Sequence, residues 1–209
     1  MTTDLDHLAL TLGGRPVHRS WDRIRRYCGL PWSGGPPETW AFPYYDAIVT
    51  DPGALEPIDV LASSALHVGL NQPELAAFAE RRVDLEAWLT AIPPATQLID
   101  RDPAVADLLH TLPTFDERIS TTLLAKVLHR KRPHLVPLVD RDVLDHYRPV
   151  TGVRSATAAW RPLLDVIAGD LDRNAEPLNA MASAPDDELG TALSPLRLLD
   201  LALWTRSMP

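Results

Sequence analysis

From residue 57 onward the apolar residues return every three or four positions, and prolines stand at the edges of these stretches. Ile58, Leu61, Ala65 and Val68 follow Pro57; Leu75, Phe78, Leu85, Trp88, Leu89 and Ile92 follow Pro73 and stop at Pro93-Pro94. Val105, Leu108, Leu109 and Leu112 follow Asp102-Pro103 and stop at Pro113; Ile119, Leu123, Val127 and Leu128 stop at Pro133. A three-to-four-residue period buries one face of a helix. Proline fits the first turn of a helix, where its missing N–H costs nothing, and breaks the interior. The pattern predicts short helices that bury their faces on one another.

The later stretches read the same way. A short helix is expected over 140–147, a longer one capped by Ser155 with Trp160, Leu163, Leu164 and Ile167 inside, another over 174–181, and a last one opened by Ser194-Pro195. Ahead of residue 57, Ser20 is read as the cap of a helix carrying Trp21, Ile24 and Cys28. Gly34-Gly35-Pro36-Pro37 marks an irregular stretch over 29–43, and strand is expected only near 44–49. Residues 1–209 are read as a single compact all-α domain, with 1–56 an irregular N-terminal elaboration and 57–209 the helical core.

A chain of 209 residues buries about 70% of its unfolded surface, so it needs no covalent or metal staple. Its single cysteine, Cys28, excludes an intramolecular disulfide and a multi-cysteine metal site; it reads as a small buried hydrophobe and not a catalytic thiol. No stretch approaches the length of apolar sequence that spans a bilayer. The first ten residues carry two Asp and no basic region, so a cytoplasmic protein is expected. The net charge of −8 opposes non-specific binding to nucleic acid or anionic membrane. Positive charge is concentrated, however: residues 118–148 hold seven Arg/Lys against three Asp.

The sequence has no glycine-rich phosphate loop, no Gly-x-Ser-x-Gly and no His-Glu-x-x-His. His129, His134 and Asp140 lie near each other in sequence, but a proline separates the histidines, and no metal or cofactor is expected. Asp186-Asp187-Glu188 reads as a solvated connector.

Residues 123–145 stand out. A helix ends in Arg130-Lys131-Arg132, Pro133 breaks it, and an apolar loop through Leu135, Val136, Pro137, Leu138 and Val139 reaches Asp140, which opens the next helix. Structurally, an Asp before a helix is an N-cap worth about 1 kcal/mol, and cations at a helix end oppose its dipole. Functionally, Lys126, Arg130, Lys131 and Arg132 are candidate phosphate or anion contacts and Asp140 a candidate catalytic carboxylate.

The stretch Pro133 … Pro137-Leu138-Val139-Asp140-Arg141-Asp142-Val143 resembles the helix-hairpin-helix DNA glycosylase superfamily. There, an apolar proline-containing loop leads to a helix-opening aspartate that stabilises positive charge on the sugar or orients the attacking water. The resemblance implies a helix-hairpin-helix glycosylase-like fold, with that role on Asp140. The family's Leu-Pro-Gly-x-Gly hairpin binds DNA phosphate through backbone N–H groups; here Leu112-Pro113-Thr114-Phe115-Asp116-Glu117-Arg118-Ile119 has no glycine and two acids. The position of that family's lysine nucleophile falls on Ser120 or Thr122, a turn from Lys126. Over its whole length the chain resembles an uncharacterised actinobacterial domain family with a Lys-Arg-Pro-x-Leu-x-Pro-x-x-Asp core, here 131–140. That family also has a Phe/Tyr-Pro-x-Tyr-Asp element, here 42–46, and a Ser-x-Leu-Arg-x-Leu-Asp-x-x-x-Trp terminus, here 194–204. This likeness implies a shared fold and no known activity.

Three functions are compatible with these readings. The first is a protein acting on nucleic acid or nucleotides, with N-glycosidic bond cleavage as the reaction. The second is a non-catalytic binding or regulatory relative of the same scaffold. The third is a small-molecule enzyme of specialised metabolism with a pocket between Tyr45, His134 and Asp140. Tyr45, Asp46, His134 and Arg197 are the pocket candidates. Arg197 and Asp200, three apart, read as a simple intrahelical pair. The expected partner is nucleic acid or a nucleotide-like small molecule, and not a membrane.

Overall fold

The computed structural model of the chain describes residues 5, 8–33, 35–37, 42–66, 69–184, 189 and 192–204, with the side chains of residues 42 and 43 outside that description. The acidic connector 186–188 and Val68 of the first apolar face lie outside the described residues. The described structure is mostly helical, as the period predicts. Its helices are α1 (Ser20–Tyr27), α2 (Phe42–Tyr45), α3 (Pro57–Ala62), α4 (Gln72–Glu80), α5 (Arg82–Ala91), α6 (Pro103–Thr111), α7 (Thr121–Lys131), α8 (Arg141–Thr151), α9 (Ala156–Arg173), α10 (Ala175–Ala182) and α11 (Pro195–Leu203).

Helix α7 is the central rod. Leu123, Leu124, Ala125, Val127 and Leu128 are buried, and so are Lys126, His129 and Lys131. It packs against α3 and α9, and α11 packs against α1, α8, α9 and α10. Caps follow the sequence at several starts. Asn71, Asp102, Ser120, Asp140 and Ser194 each accept a backbone N–H two or three residues on, which satisfies one of the donors a helix start leaves unpaired. Ser194 also donates its hydroxyl to the Pro133 carbonyl at 2.6 Å. That bond ties the start of α11 to the loop between α7 and α8.

Five local expectations are corrected. Residues 42–45 form one helical turn and 48–50 are irregular, so the strand expected near 44–49 is not there. Strand occurs instead at β1 (Leu10–Leu12) and β2 (Arg15–Val17), paired antiparallel with Leu10 opposite Val17. Gly13 (φ 56°) and Gly14 (φ 73°) make its two-residue turn, the left-handed pair such hairpins need. Asp170 and Asn174 of the α9–α10 junction hold this hairpin through Gly13 N–H at 2.6 Å and Thr11 N–H at 2.8 Å. Residues 73–92 form two helices, because Arg81 (φ −91°, ψ 6°) leaves the helical path between α4 and α5. Ser155 stands at the N-cap position of α9 but its side chain makes no capping bond, and Ser20 does not cap α1. Arg19 occupies that position in a left-handed conformation, and the Ser20 hydroxyl donates to Val17 O at 2.9 Å. The hairpin and α1 contribute Leu10, Leu12, Trp21 and Ile24 to the same core cluster as α7, α9 and α11.

Candidate functional site

The basic run is mostly interior. Lys131 and Arg132 are 2% and 1% exposed, and the Arg130 side chain 4%. Burying three cations requires that each be paired or have its donors hydrogen-bonded. Asp59 of α3, fully buried, meets Arg130 at 3.3 Å and Lys131 at 2.6 Å. Arg130 also donates to the carbonyls of Tyr45 and Ile48, and Lys131 to Thr50 Oγ1 and Asp51 O. Arg132 donates to the carbonyls of Leu89, Ile92 and Pro52. The three cations therefore clamp the irregular segment 45–52 and the end of α5 onto α7. Their donors are spent within the protein, which corrects the expectation that they meet an external anion.

A second buried node forms on Arg197. It grips Asp46 through two bonds of 2.9 Å, donates to Tyr27 Oη at 2.6 Å, and also bonds Asp200. Its guanidinium lies over the rings of Tyr27 and Tyr45, 4.9 and 5.4 Å from their centroids. Burial opposes its charge, yet Asp46, Tyr27 and Asp200 outweigh that and hold its pKa well above the ordinary value. Tyr45 is 1% exposed and donates to Lys126 O at 2.7 Å. Tyr45 and Asp46 therefore build the wall behind the site. His134 lines a different hollow, with Gln97, Asn179 and Pro195; burial lowers its pKa. The pocket of Tyr45, His134 and Asp140 is not assembled. His129 turns Nδ1 to Val136 O at 2.7 Å, and burial holds its pKa down at about 4. Among the described residues, no three His, Cys, Asp or Glu side chains are grouped to hold a metal ion. Burial raises the Cys28 thiol to about 12, so it is protonated and unreactive at neutral pH.

What the structure does bring together is Asp140, Lys126, Arg197 and Asp200. They line a narrow recess of about 50 Å³ with Tyr27, Leu138, Asp142 and Trp204. Such a volume holds a few waters. The recess opens into a surface groove of about 1120 Å³, and Lys126, Asp140, Asp142, Leu66 and Trp204 border both. Sequence and geometry agree on why Asp140 is there. The apolar loop seals Leu135, Val136, Leu138 and Val139 inside, and the chain re-emerges at Asp140 as the cap of α8. Its Oδ1 accepts Val143 N–H at 3.1 Å. Lys126 is 3% exposed and donates Nζ to Leu66 O at 2.8 Å. Burial lowers its pKa against the pull of Asp140 and Asp200.

Asp200 is the residue that sequence reasoning assigned to a simple pair. It does pair with Arg197, but it also faces Asp140 and Lys126 in the recess. Burial, only partly offset by Arg197 and reinforced by Asp140, raises its carboxyl to about 7. A carboxyl tuned to neutrality can exchange a proton with a bound water. Trp204, packed edge-on to Tyr27 at 5.6 Å and with the Arg26 guanidinium 5.8 Å from its ring centroid, stands at the junction of recess and groove. The readable signal was the terminal pattern itself, which places Arg197 and Asp200 on one helix and Trp204 just past its end.

In the segment 112–119 a carboxylate and a guanidinium are bonded to each other. Asp116 accepts the backbone N–H of Arg118 at 3.0 Å and its side chain at 3.1 and 2.9 Å. These bonds hold the Asp116 carboxyl at about 2.

A family of unknown function, DUF6308, matches residues 20–207 of the chain. No curated protein and no solved structure matches it. No helix among the described residues is long and apolar enough to cross a membrane.

Proposed function

We propose that this chain, which belongs to the DUF6308 family, hydrolyses the N-glycosidic bond of a nucleotide-like substrate on a helical scaffold of the DNA glycosylase kind. The observation that carries the reading is that Asp140 and Asp200, sixty positions apart and on different helices, line one recess, large enough for a few waters, beside Lys126. The substrate lies in the groove, its base against Trp204 and its sugar at the recess mouth. As the bond from C1′ to the base nitrogen breaks, its electron pair leaves with the base, which takes a proton from solvent. Asp140 stabilises the positive charge left on the sugar. A water in the recess adds to C1′ and gives its proton to Asp200. Lys126 offsets the mutual repulsion of the two carboxylates.

The segment 112–119 carries Asp116, bonded to Arg118, where the glycosylases it resembles have phosphate-binding glycines; this favours a small or single-stranded substrate over duplex DNA. The second reading, a non-catalytic binding module, draws on the capping bond of Asp140 to Val143. A release panel separates the two. Nucleosides, nucleoside monophosphates and lesion-bearing oligonucleotides are incubated with the protein, and free base is measured by reversed-phase chromatography. Release by wild type, lost in Asp200→Asn, is expected. Absence of free base from every substrate overturns the proposal in favour of the binding module.

A further inference from the structure

The groove has its own charge pattern, distinct from that of the recess. The recess presents three carboxylates, Asp140, Asp142 and Asp200, against Lys126 and Arg197. Farther out, the same groove is bordered by Arg141, Arg148 and Arg154. In a chain of net charge −8, three arginines on one groove call for an explanation. Arg141 and Arg148 are two helical turns apart on the solvent side of α8, with Asp145 between them. Asp145 lies 3.6 Å from each, so one exposed carboxylate is divided between two guanidinium groups and neutralises neither fully. Arg154 is exposed and makes no ion pair among the described residues. Gly152, in the left-handed conformation at φ 72°, ends α8 and turns the chain so that Arg154 borders the same groove.

We infer that Arg148 and Arg154, with Arg141 beside them, form a phosphate subsite at the outer part of the groove, so that the substrate is a phosphate ester and not a free nucleoside. This rests on the reading of the recess given above and adds its substrate class. The two ends of the site then divide the work by charge. Carboxylates face the part of the substrate that becomes cationic, and guanidinium groups take the part that is permanently anionic. A phosphate in the recess would meet three carboxylates; at the rim it meets planar donors suited to two-point contact. The buried run Arg130-Lys131-Arg132 has no such freedom. Phosphate recognition thus moves from the residues the sequence singled out to three arginines that follow Asp140.

Isothermal titration at low salt tests this without requiring turnover. The ligands are a nucleoside, its 5′-monophosphate, inorganic pyrophosphate and a short single-stranded oligonucleotide, against wild type and Arg148→Ala/Arg154→Ala. These side chains are solvent-facing, so the double variant retains its fold, checked by its melting temperature. The monophosphate is expected to bind about tenfold or more tighter than the nucleoside, with the difference removed in the double variant. The preference should weaken between about 50 and 200 mM salt. A larger gain for the oligonucleotide, also removed in the double variant, assigns the phosphate to a single strand and supports the subsite. Equal binding of nucleoside and monophosphate, no binding of any phosphate ligand, or a preference that survives in the double variant overturns it. Base release without phosphate preference removes the subsite and leaves the catalytic reading. Phosphate preference without base release does the reverse.

Discussion

Asp59→Asn tests whether the basic run is a structural clamp. Asp59 is fully buried between Arg130 and Lys131, whose side chains are 4% and 1% exposed. It also accepts the Thr50 hydroxyl and the Glu56 N–H, each at 2.8 Å. Asparagine keeps the shape and one acceptor oxygen. It removes the charge that two cations share and turns an NH₂ toward one of them. Breaking a buried pair by neutralising one partner costs about 3–5 kcal/mol, because the remaining charge stays desolvated. For a domain of this size, about 2–4 °C per kcal/mol converts that to a fall of about 6–20 °C in melting temperature. Urea denaturation followed by circular dichroism reads the same loss. The loss should persist in high salt, since buried charges are little screened. A cost below about 1 kcal/mol, the value of an exposed pair, would refute the clamp and return Arg130 and Lys131 to solvent and to anion binding.

Other expectations follow from the same structure. His129 is neutral in the native protein, with a pKa of about 4 against 6.5 for the free side chain. The unfolded chain therefore binds the extra proton first, and stability falls as pH drops from 6.5 toward 4, by about 3 kcal/mol at about 1.4 kcal/mol per unit. In His129→Asn, which keeps an N–H for Val136 O, the denaturation midpoint should flatten across that range; an unchanged slope would contradict the burial of the imidazole. Asp200 must be ionised to take a proton, so base release should rise with pH through about 7 and then level off. A rate that falls through that range would contradict its role as base. Gly152→Ala meets no atom within 4 Å but forces a side chain into the left-handed region at φ 72°. It should cost about 1–2 kcal/mol in denaturant titration, and no loss would mean that α8 does not end in that conformation.

Much of the helical framework could be read from local chemistry. Asp102, Asp140 and Ser194 announce their helices because a short polar side chain at those points has one main use, to accept the first free N–H groups. Pro57, Pro103 and Pro195 locate first turns for the same local reason. The hairpin at 10–17 was missed, although Gly13-Gly14 between Leu-Thr-Leu and Arg-Pro-Val is a two-residue turn signal. The functional meaning of charge was not legible. Lys126, Arg130, Lys131 and Arg132 look alike in sequence, yet what each does is set by partners up to 85 residues away, Asp59 and the carbonyls of 45–52 above all. Asp140 was visible because its role as a cap is local. Asp200 joins it through the tertiary packing of α11 on α1, α8, α9 and α10 and through contacts such as Ser194 to the Pro133 carbonyl, which no local pattern encodes.

The most direct measurement is base release by Asp140→Asn beside wild type, with melting temperatures recorded on the same preparations. Asparagine caps a helix about as well as aspartate, so the variant should lose well under about 1 kcal/mol of stability. It carries no charge to stabilise a cationic sugar, so release should fall by about 100-fold or more. Equal rates in the two proteins, with both folded, would contradict the assignment and leave Asp140 as the cap of α8.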